Sequence, residues 1–377
     1  MVSIPVSIPV VNRGRLALAV PVASRALKRW AGGDRSQKHK QMILDEKKRT
    51  TLADVAVAAG VSKMTASRAL RGAGDVSKAK ADRVRQAAKE IGYVGNHLAS
   101  SLSGKRSDLI GVVVPSVENI VFAEVLAGIA DGIEGSDLQP VFGVTDYDLD
   151  KEYDVVRNML SWKPAGIIVT GLDQSDATKR ILENADVPVV QIMDVDGIPV
   201  DACVGLSHFT AGKEMAEALL KMGRKRFAYV GCGLDRDTRA AKRLSGFQAA
   251  LSENGLAFVA TRIGRARSTV KAGRDLSAEV LASHPGLDCI YYSNDDLAVG
   301  GAYHCIANGV AVPDELVLAG FNGLDLVDSL PIRIATTRTP RREIGRAAAE
   351  IVLNSNHGGG VGTERRKQFH PAIDIGV

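Results

Sequence analysis

Short apolar runs alternate with helix-forming segments across most of this chain of 377 residues. The runs show little polar–apolar alternation, which is typical of parallel strands covered on both faces. They lie at 109–114, 139–144, 166–170, 188–193, 202–206, 226–231, 289–293 and 316–321. Helices are predicted at 122–135, 151–162, 210–222, 240–254, 270–284, 296–308 and 341–353. Because these units exceed one sheet, they predict an α/β core of two doubly wound parallel-sheet sub-domains, with a ligand cleft at the strands' carboxyl ends.

A different pattern precedes the core, at Thr51–Leu70. Apolar residues recur at helical spacing behind a Thr/Asp start, Gly60 interrupts them, and Ser62 is placed to cap a second helix. Polar and cationic side chains on that helix's first turn suit a recognition helix in the major groove, which is about 12 Å wide. A surface helix pair of an ordinary α domain has the same local pattern. The window therefore predicts helix-turn-helix, and a third helix is predicted at 78–91.

Charge is distributed unevenly along the chain. Residues 1–48 carry ten Lys and Arg against three Asp and Glu, and residues 49–106 carry eleven against four. Residues 107–377 carry 27 against 36, so the core is acidic although the whole chain is +5. A basic N-terminal part joined to an acidic core suits a protein whose N-terminal module binds DNA phosphates while the core is repelled from the DNA. For residues 1–48 alone, a solvated, nonspecific arm explains the charge as well.

Several chemistries lack their sequence signatures. No GxGxxG follows a strand, no Walker A or GxSxG motif occurs, and the histidines stand apart without metal-ligand spacing. No apolar stretch approaches the roughly 18 residues of a membrane span. The cysteines lack zinc spacing and suit buried, reduced thiols in the cytoplasm; they are Cys203, Cys232, Cys289 and Cys305. We therefore expect no catalytic residue, no metal, no cofactor and no membrane contact.

Polar side chains collect where the predicted strands end. Asn, Asp and Arg offer the fixed donors and acceptors that a polyhydroxylated ligand requires. The residues are Asn119, Asp146, Tyr147, Asp194, Asp235, Arg239, Arg243, Asn294, Asp295 and Asn322. Helix capping and loop solvation explain the same residue types. For Asn294, Asp295 and Asp296 the two interpretations have equal weight.

These features divide the chain into segments. Residues 1–48 are predicted to be a disordered basic extension, with Met42 as a hypothetical natural start; 49–95 are the headpiece, and 96–107 are a hinge helix or linker. The core is 108–377, with one sub-domain of about 108–207 plus 335–350 and a second of about 208–334 plus 351–377. The hinge is too short and too poor in apolar residues to form an isolated helix, so DNA and a partner chain would have to supply contacts.

Three segments follow one another in the order and spacing of a known family. LADVAVAAGVSKMTASRAL, VSKAKADRVRQAAKEIGYVGNHLASSL and IGVVVPSVENIVFAEVLAGI resemble the headpiece, hinge and first core strand of the lactose/galactose repressor family. The resemblance covers residues 50–355. Within the family, VFAEVLAGI, MLSWKPAGIIVT, NDDLAVGGAYHC and LDRDT look most like gluconate-utilisation repressors. The resemblance implies a core like periplasmic sugar-binding proteins, a cytoplasmic homodimer and a pseudo-palindromic double-stranded DNA operator.

The resemblance also implies roles for particular residues. The DNA-contacting positions are Thr51, Ser62, Lys63, Met64, Thr65, Ser67, Arg68, Asn96, Ala99 and Leu102. Among them, Lys63 and Met64 would read bases, and Leu102 would wedge into the minor groove beside Ala99. Met64 cannot make a bidentate base contact, so a thymine methyl group is its expected partner. The effector-binding positions are Asn119, Phe122, Tyr147, Asp194, Arg243, Asn294 and Asn322, with Arg239 as a neighbouring candidate.

One departure from the family pattern bears on the effector. The family commonly has an acidic residue after the last core strand, where this chain has Asn322. A neutral amide near Arg243 removes repulsion toward an anion. The expected function is a repressor released from its operator by a sugar acid such as gluconate. A co-repressed or activator-type regulator with a neutral sugar effector is the alternative, and a cytosolic sugar-acid enzyme or an architectural DNA binder stays open.

Overall fold

The computed structural model describes residues 50–94, 106–356 and 365–376. It separates two compact units, of which the first ends at Asn96 and the second begins at His97. The predicted extension 1–48 and the predicted hinge residues Asn96, Ala99 and Leu102 lie outside the described residues.

The described part of the first unit is a three-helix headpiece. Its helices are α1 (Leu52–Ala59), α2 (Lys63–Leu70) and α3 (Lys78–Glu90). Thr51 and Asp54 form a capping box at the start of α1, and Gly60 ends α1 at φ +62°, a conformation that glycine adopts without strain. Small side chains make up most of the buried core, which lets the helices pack closely; they are Val55, Ala56, Ala59, Ala66, Ala69, Ala81, Val84, Ala87 and Ala88.

In the second unit, a first lobe is built on a six-stranded parallel sheet. Its strands are β1 (Leu109–Val114), β2 (Gln139–Val144), β3 (Gly166–Thr170), β4 (Val189–Ile192), β5 (Ala202–Gly205) and β11 (Arg366–Gln368). The strand order is β11-β5-β4-β3-β1-β2, and every neighbouring pair is parallel. The helices of this lobe are α4 (Ile120–Gly132), α5 (Leu149–Ser161), α6 (Asp176–Glu183) and α12 (Arg341–Asn356). Apolar clusters cover both faces of the sheet.

A second lobe is built on a four-stranded parallel sheet of order β7-β6-β8-β9. These strands are β6 (Phe227–Cys232), β7 (Ala260–Gly264), β8 (Cys289–Tyr292) and β9 (Val317–Ala319). The helices are α7 (His208–Lys221), α8 (Thr238–Glu253), α9 (Val270–Ser283), α10 (Asp295–Asn308) and α11 (Asp325–Asp328). An antiparallel pair, β10 (Thr336–Arg338) and β12 (Ala372–Asp374), packs with this lobe. The α/β prediction with two doubly wound parallel sheets is confirmed.

The boundary between the lobes differs from the predicted sub-domains at the carboxyl-terminal end. Residues 351–356 were predicted in the second sub-domain, but they continue α12, which packs on the first lobe. Strand β11 likewise pairs with β5 of the first lobe, whereas residues 335–338 join the second lobe. Residues 106–107, predicted as linker, already bond to the first lobe, since Ser107 donates its N–H to the Lys163 carbonyl at 2.8 Å. Helical periodicity reports where a helix lies in sequence and carries no information on which sheet it covers.

Facing glycines allow the helices of each lobe to cross at close range. A Cβ atom at Gly212 of α7 would lie 2.0 Å from the Arg243 carbonyl oxygen of α8, and one at Gly246 would lie 1.9 Å from the Phe209 oxygen. Equivalent pairs occur at Gly128 and Gly345 between α4 and α12, and at Gly273 and Gly300 between α9 and α10. Because any side chain there would clash with backbone, these helices cross at main-chain contact distance.

The four cysteine side chains are free and buried, as the sequence predicted. In the described part of the chain, no helix is both long enough and apolar enough to cross a membrane.

Candidate functional site

The predicted DNA-contacting side chains that the structure describes lie on the helix-turn-helix. Lys63 and Met64 are exposed on the first turn of α2, where Met64 keeps 71% of its surface accessible. Ser62 caps that turn, because its Oγ accepts the Thr65 N–H at 3.1 Å, and the two hydroxyl oxygens are 2.9 Å apart. Met64 therefore contributes almost nothing to the headpiece core, which leaves its thioether free to contact a partner.

Arg68 is held by an ion pair within the headpiece. Its Nε donates to Asp75 Oδ1 at 3.1 Å, and a terminal nitrogen bonds the other carboxylate oxygen. Both side chains are about half exposed, and exposed pairs of this kind contribute roughly 0–1 kcal/mol. Ser67, half-buried on the same helix, accepts through its carbonyl from Arg71 Nε at 3.2 Å. To reach a base or phosphate, Arg68 would exchange Asp75 for DNA at a small free-energy cost.

Two cavities lined by both charged and apolar side chains lie between the lobes, at the carboxyl ends of the strands. Cavity A, of about 390 Å³, is lined by Asn119 and Asp146 of the first lobe and by Asp237, Asn294 and the loop 265–270 of the second. Cavity B, of about 470 Å³, lies between the start of α5 and the start of α8. Its walls are Pro115, Thr145, Tyr147, Asp148, Leu149, Asp150, Glu152, Thr170, Gly171, Asp173, Gln174, Asp235, Arg236, Thr238 and Arg239.

Tyr147 lines both cavities and follows β2 on a left-handed backbone. Asp146 and Tyr147 have φ values of +55° and +59°, which side chains other than glycine rarely adopt. Burial raises the pKa of the Tyr147 phenol, and Asn119 hydrogen-bonds to it. Asp146 receives Lys151 Nζ at 2.5 Å and an Arg267 nitrogen at 3.4 Å, and this second contact joins the two lobes. Ion pairs thus hold the strained turn that presents Tyr147.

Asn294 both caps a helix and lines a cavity, so the capping interpretation and the ligand-site interpretation of this residue are compatible. Its Oδ1 accepts the Leu297 N–H at 3.2 Å at the start of α10, while the residue faces cavity A with Asp296. Asp295 has a structural role, because its carboxylate accepts from Leu324 N at 2.9 Å and Thr336 Oγ1 at 2.7 Å. Burial raises the pKa of Asp295 to about 6.

Asp194 is fully buried, behind the cavity walls. Its Oδ2 lies 2.7 Å from Lys242 Nζ, and Lys242 also pairs with Asp173 at 2.7 Å. Burial raises the pKa of Asp194, while the lysine acts in the opposite direction. Since Asp194 follows β4 of the first lobe and Lys242 lies on α8 of the second, this ion pair connects the lobes beneath cavity B.

Arg243 is buried in the second lobe, where both terminal nitrogens of its guanidinium are engaged and its Nε has no hydrogen-bond partner among the described residues. One terminal nitrogen lies 3.0 Å from His208 Nδ1, the other donates to the Ser293 carbonyl at 2.8 Å, and the group stacks 4.0 Å from the Phe321 ring centre. Burial and the Arg243 charge lower the pKa of His208 well below its usual range, so the imidazole is neutral. His208 Nε2 therefore donates to the Met193 carbonyl, at 2.7 Å, and Nδ1 accepts from Arg243.

The remaining predicted effector residues lie away from both cavities. Phe122 packs in the core of the first lobe, 2% exposed. Asn322 has φ +123° and bonds through its backbone, for example from its N–H to the Thr337 carbonyl at 2.9 Å. Of the predicted set, the structure brings Asn119, Tyr147, Arg239 and Asn294 to the cavity walls. It does not bring Phe122, Asp194, Arg243 or Asn322 to either wall.

Some residues of the cavity region escaped the sequence analysis. Lys242 carried no signal beyond lying next to Arg243. Glu152 did carry a sequence signal, because its helical spacing places it on the same buried face of α5 as Val156 and Met159. Burial raises the pKa of Glu152 to about 7, although the Arg239 charge acts in the opposite direction.

A helix-turn-helix unit followed by a two-lobed α/β unit with interlobe cavities defines a ligand-responsive DNA-binding regulator. Residues 51–96 match the model of bacterial regulatory proteins of the LacI family, and residues 107–368 match that of periplasmic binding proteins and the sugar-binding domain of the LacI family. The chain belongs to the LacI family of transcriptional regulators.

Several relatives are similar over nearly their whole length. The HTH-type transcriptional regulator GntR of Pseudomonas aeruginosa is 40% identical over 81% of this chain and 89% of its own. IdnR of Escherichia coli is 33% identical over 87% and 96%. A solved LacI family regulator from Silicibacter pomeroyi superposes with a TM-score of 0.84 at 45% identity, covering 87% of this chain and 98% of its own. These relatives confirm the prediction of a DNA-binding regulator rather than an enzyme.

Proposed function

We propose that this regulator is a repressor whose effector is a sugar acid such as gluconate, and that effector binding releases it from operator DNA. The observation that carries the proposal is the pair of cavities at the lobe junction, where arginines and aspartates line both walls together with Asn119 and Asn294 in cavity A and Gln174 in cavity B. Amide and guanidinium groups suit the hydroxyls and carboxylate of a sugar acid. The likeness of four core segments to gluconate-utilisation repressors supports the same ligand class.

The DNA contacts are proposed on the helix-turn-helix and the hinge. Lys63 and Met64 would read base edges from the first turn of α2, and Arg68 would leave Asp75 for a base or phosphate. Thr51, Ser62, Thr65, Ser67 and Asn96 would supply backbone contacts, while Ala99 and Leu102 of the segment 96–107 would open the minor groove. The regulator would act in the cytoplasm as a homodimer on a pseudo-palindrome. A solved lac repressor, described as a dimer bound to operator, shares its fold, with a TM-score of 0.74 at 23% identity.

Release of the repressor from operator DNA follows if the effector binds one arrangement of the two lobes more tightly than another. An effector that binds one arrangement more tightly increases its population, and the hinge segments of the two chains then lose the spacing at which they pair. A coupling of about 1–3 kcal/mol changes operator affinity roughly 5–150-fold.

Operator binding in the presence of candidate ligands tests the proposal. The full chain first selects its own binding sequence from a random duplex library, and fluorescence anisotropy then measures its affinity with D-gluconate or the neutral polyol D-sorbitol. We expect gluconate to weaken operator binding at least fivefold and sorbitol to leave it unchanged. Tighter operator binding with gluconate would show co-repression, and a response to neutral sugars alone would show the alternative effector class.

A further inference from the structure

Glu152 lies on the buried face of α5, where an apolar side chain is expected. The buried residues of α5 are Glu152, Val156 and Met159, spaced four and three residues apart on one face. Val156 and Met159 pack in the apolar cluster beneath that helix. Glu152 is only 8% exposed, and its Oε1 receives no hydrogen bond from any residue that the structure describes. Because a buried, unpartnered carboxyl oxygen destabilises a fold, packing does not explain this residue.

The same side chain faces cavity B, whose inner wall also presents groups that can bind a polar ligand. Arg239 keeps 12% of its side chain exposed, and its nearest carboxylate partner, Asp237, is 3.8 Å away. Thr145 is 3% exposed and lines the same cavity. Thr170 already donates its hydroxyl to the Val113 carbonyl at 2.9 Å. Cavity B thus combines a buried cation, a hydroxyl and a buried carboxyl group, all facing one space.

The other charged groups around cavity B are engaged or lie at its rim. Asp148 accepts two backbone N–H groups of α5, at 2.9 and 3.0 Å, and Asp173 pairs with Lys242 at 2.7 Å. Asp150, Asp235 and Arg236 are exposed at the mouth, where solvent screens them. With a proton on Glu152, Arg239 is the cation on the inner wall, and the carboxylate nearest to it, Asp237, makes only a long contact of 3.8 Å.

We propose that protonated Glu152 and Arg239 form a carboxylate subsite in cavity B, which binds the acid group of a hydroxy-acid ligand. Arg239 supplies the positive charge, and the Glu152 hydroxyl donates a charge-assisted O–H···O⁻ hydrogen bond to the ligand. Ionised Glu152 repels the same ligand. The inference rests on the proposed sugar-acid effector, and it assigns the effector's carboxylate to Arg239 and Glu152 instead of Arg243, which does not line either cavity and whose terminal nitrogens already bond His208 and Ser293.

Calorimetric titration of the full chain with D-gluconate at pH 6 and pH 8 tests the subsite. Glu152 is the facing group whose pKa, about 7, lies inside this range, while burial raises the pKa of Tyr147 above its ordinary value of 10. We expect the wild-type affinity to fall about tenfold from pH 6 to pH 8.

Variants separate the roles of the two residues. Glu152→Gln keeps a donor without charge, so its affinity is expected to equal the wild-type pH 6 value at both pH values. Glu152→Leu is expected to lose about tenfold at pH 6, and Arg239→Gln more than tenfold at both pH values. The matched control is Asp154→Asn, on the exposed face of the same helix, which should reproduce wild-type behaviour.

The outcomes distinguish this inference from the proposed effector. If gluconate binds equally at both pH values and in both Glu152 variants, the subsite is overturned and the sugar-acid effector stands. If gluconate does not bind but glycerate or glycolate binds more weakly at pH 8 and in Glu152→Leu, the subsite stands and gluconate is excluded as the effector. Failure of all three acids to bind wild type, or equal binding of sorbitol and gluconate, overturns the subsite.

Discussion

At the scale of single residues, Glu152 couples the stability of the fold to pH. Its pKa is about 7 in the folded chain against 4.5 for an unperturbed glutamate, because burial penalises the charged form. The folded state therefore holds this proton more tightly than the unfolded state does. The associated stabilisation is complete below about pH 4.5 and is lost as pH rises through 7, a difference of up to about 3 kcal/mol.

Glu152→Gln removes this titration. Relative to wild type, the variant should gain up to about 3 kcal/mol in the free energy of unfolding between pH 4.5 and pH 8, measured by urea denaturation at each pH. Asp154→Asn should follow wild type across the range. A wild-type-minus-variant difference that stays constant with pH would show that folding does not raise the pKa of Glu152.

The sequence predicts which residues follow the strands, and the structure brings some of them, but not all, to the cavity walls. Asn119 and Asn294 lie where the strand-end rule predicts, because carboxyl ends of parallel strands meet at one edge. Arg243 lies on the same side but turns into the second lobe, since neutral His208 and the Phe321 ring offer it partners. Which way a long side chain turns depends on contacts far apart in sequence, and a single sequence does not contain them.

At the scale of elements, each helix predicted in the headpiece and the core is present in the structure, but several helices begin earlier in the sequence than predicted. The structure begins α4, α5, α7 and α8 two residues before the predicted 122, 151, 210 and 240. The capping residues Asn119, Asp148, Ser207 and Asp237 set those starts, because their side chains accept the first free N–H groups. Strand β7 was not predicted, since it is an edge strand whose side chains are mostly exposed and lack an apolar run.

The facing glycines make helix crossing a testable property of these elements. Gly212→Ala places a methyl group 2.0 Å from the Arg243 carbonyl oxygen, so α7 and α8 must separate. We expect a loss of about 1–3 kcal/mol in stability, measured by thermal unfolding with calorimetry. Gly74→Ala is the control, because a methyl group there meets nothing within 4 Å. Equal unfolding temperatures in the two variants would show that the crossing tolerates the added atom.

At the scale of the whole second unit, ion pairs join the lobes across the cleft. Arg267 of the second lobe bonds Glu118 and Asp146 of the first, and Lys242 bonds Asp173 and Asp194 beneath. The Arg267 pairs are exposed, so they contribute roughly 0–1 kcal/mol to the approach of the lobes and weaken with salt.

Arg267→Ala should therefore weaken effector binding up to about fivefold at low ionic strength, and less at high salt, because the lobe arrangement that forms the cavities loses an ion pair. Calorimetric titration with gluconate at two salt concentrations measures this. Arg262→Ala is the matched control, since Arg262 pairs with Glu279 inside the second lobe. A similar loss in both variants would assign the effect to net charge and not to the bridge.

The headpiece core has a consequence for engineering. Among the described residues, its buried side chains come from 55–88 and the partly buried ones around them from 52–93, so the three helices pack against one another. A segment that carries its own core is portable. We expect residues 50–94 to keep their operator preference when grafted onto the hinge and core of another LacI family member, giving a hybrid that reads this protein's DNA site and answers to a different metabolite.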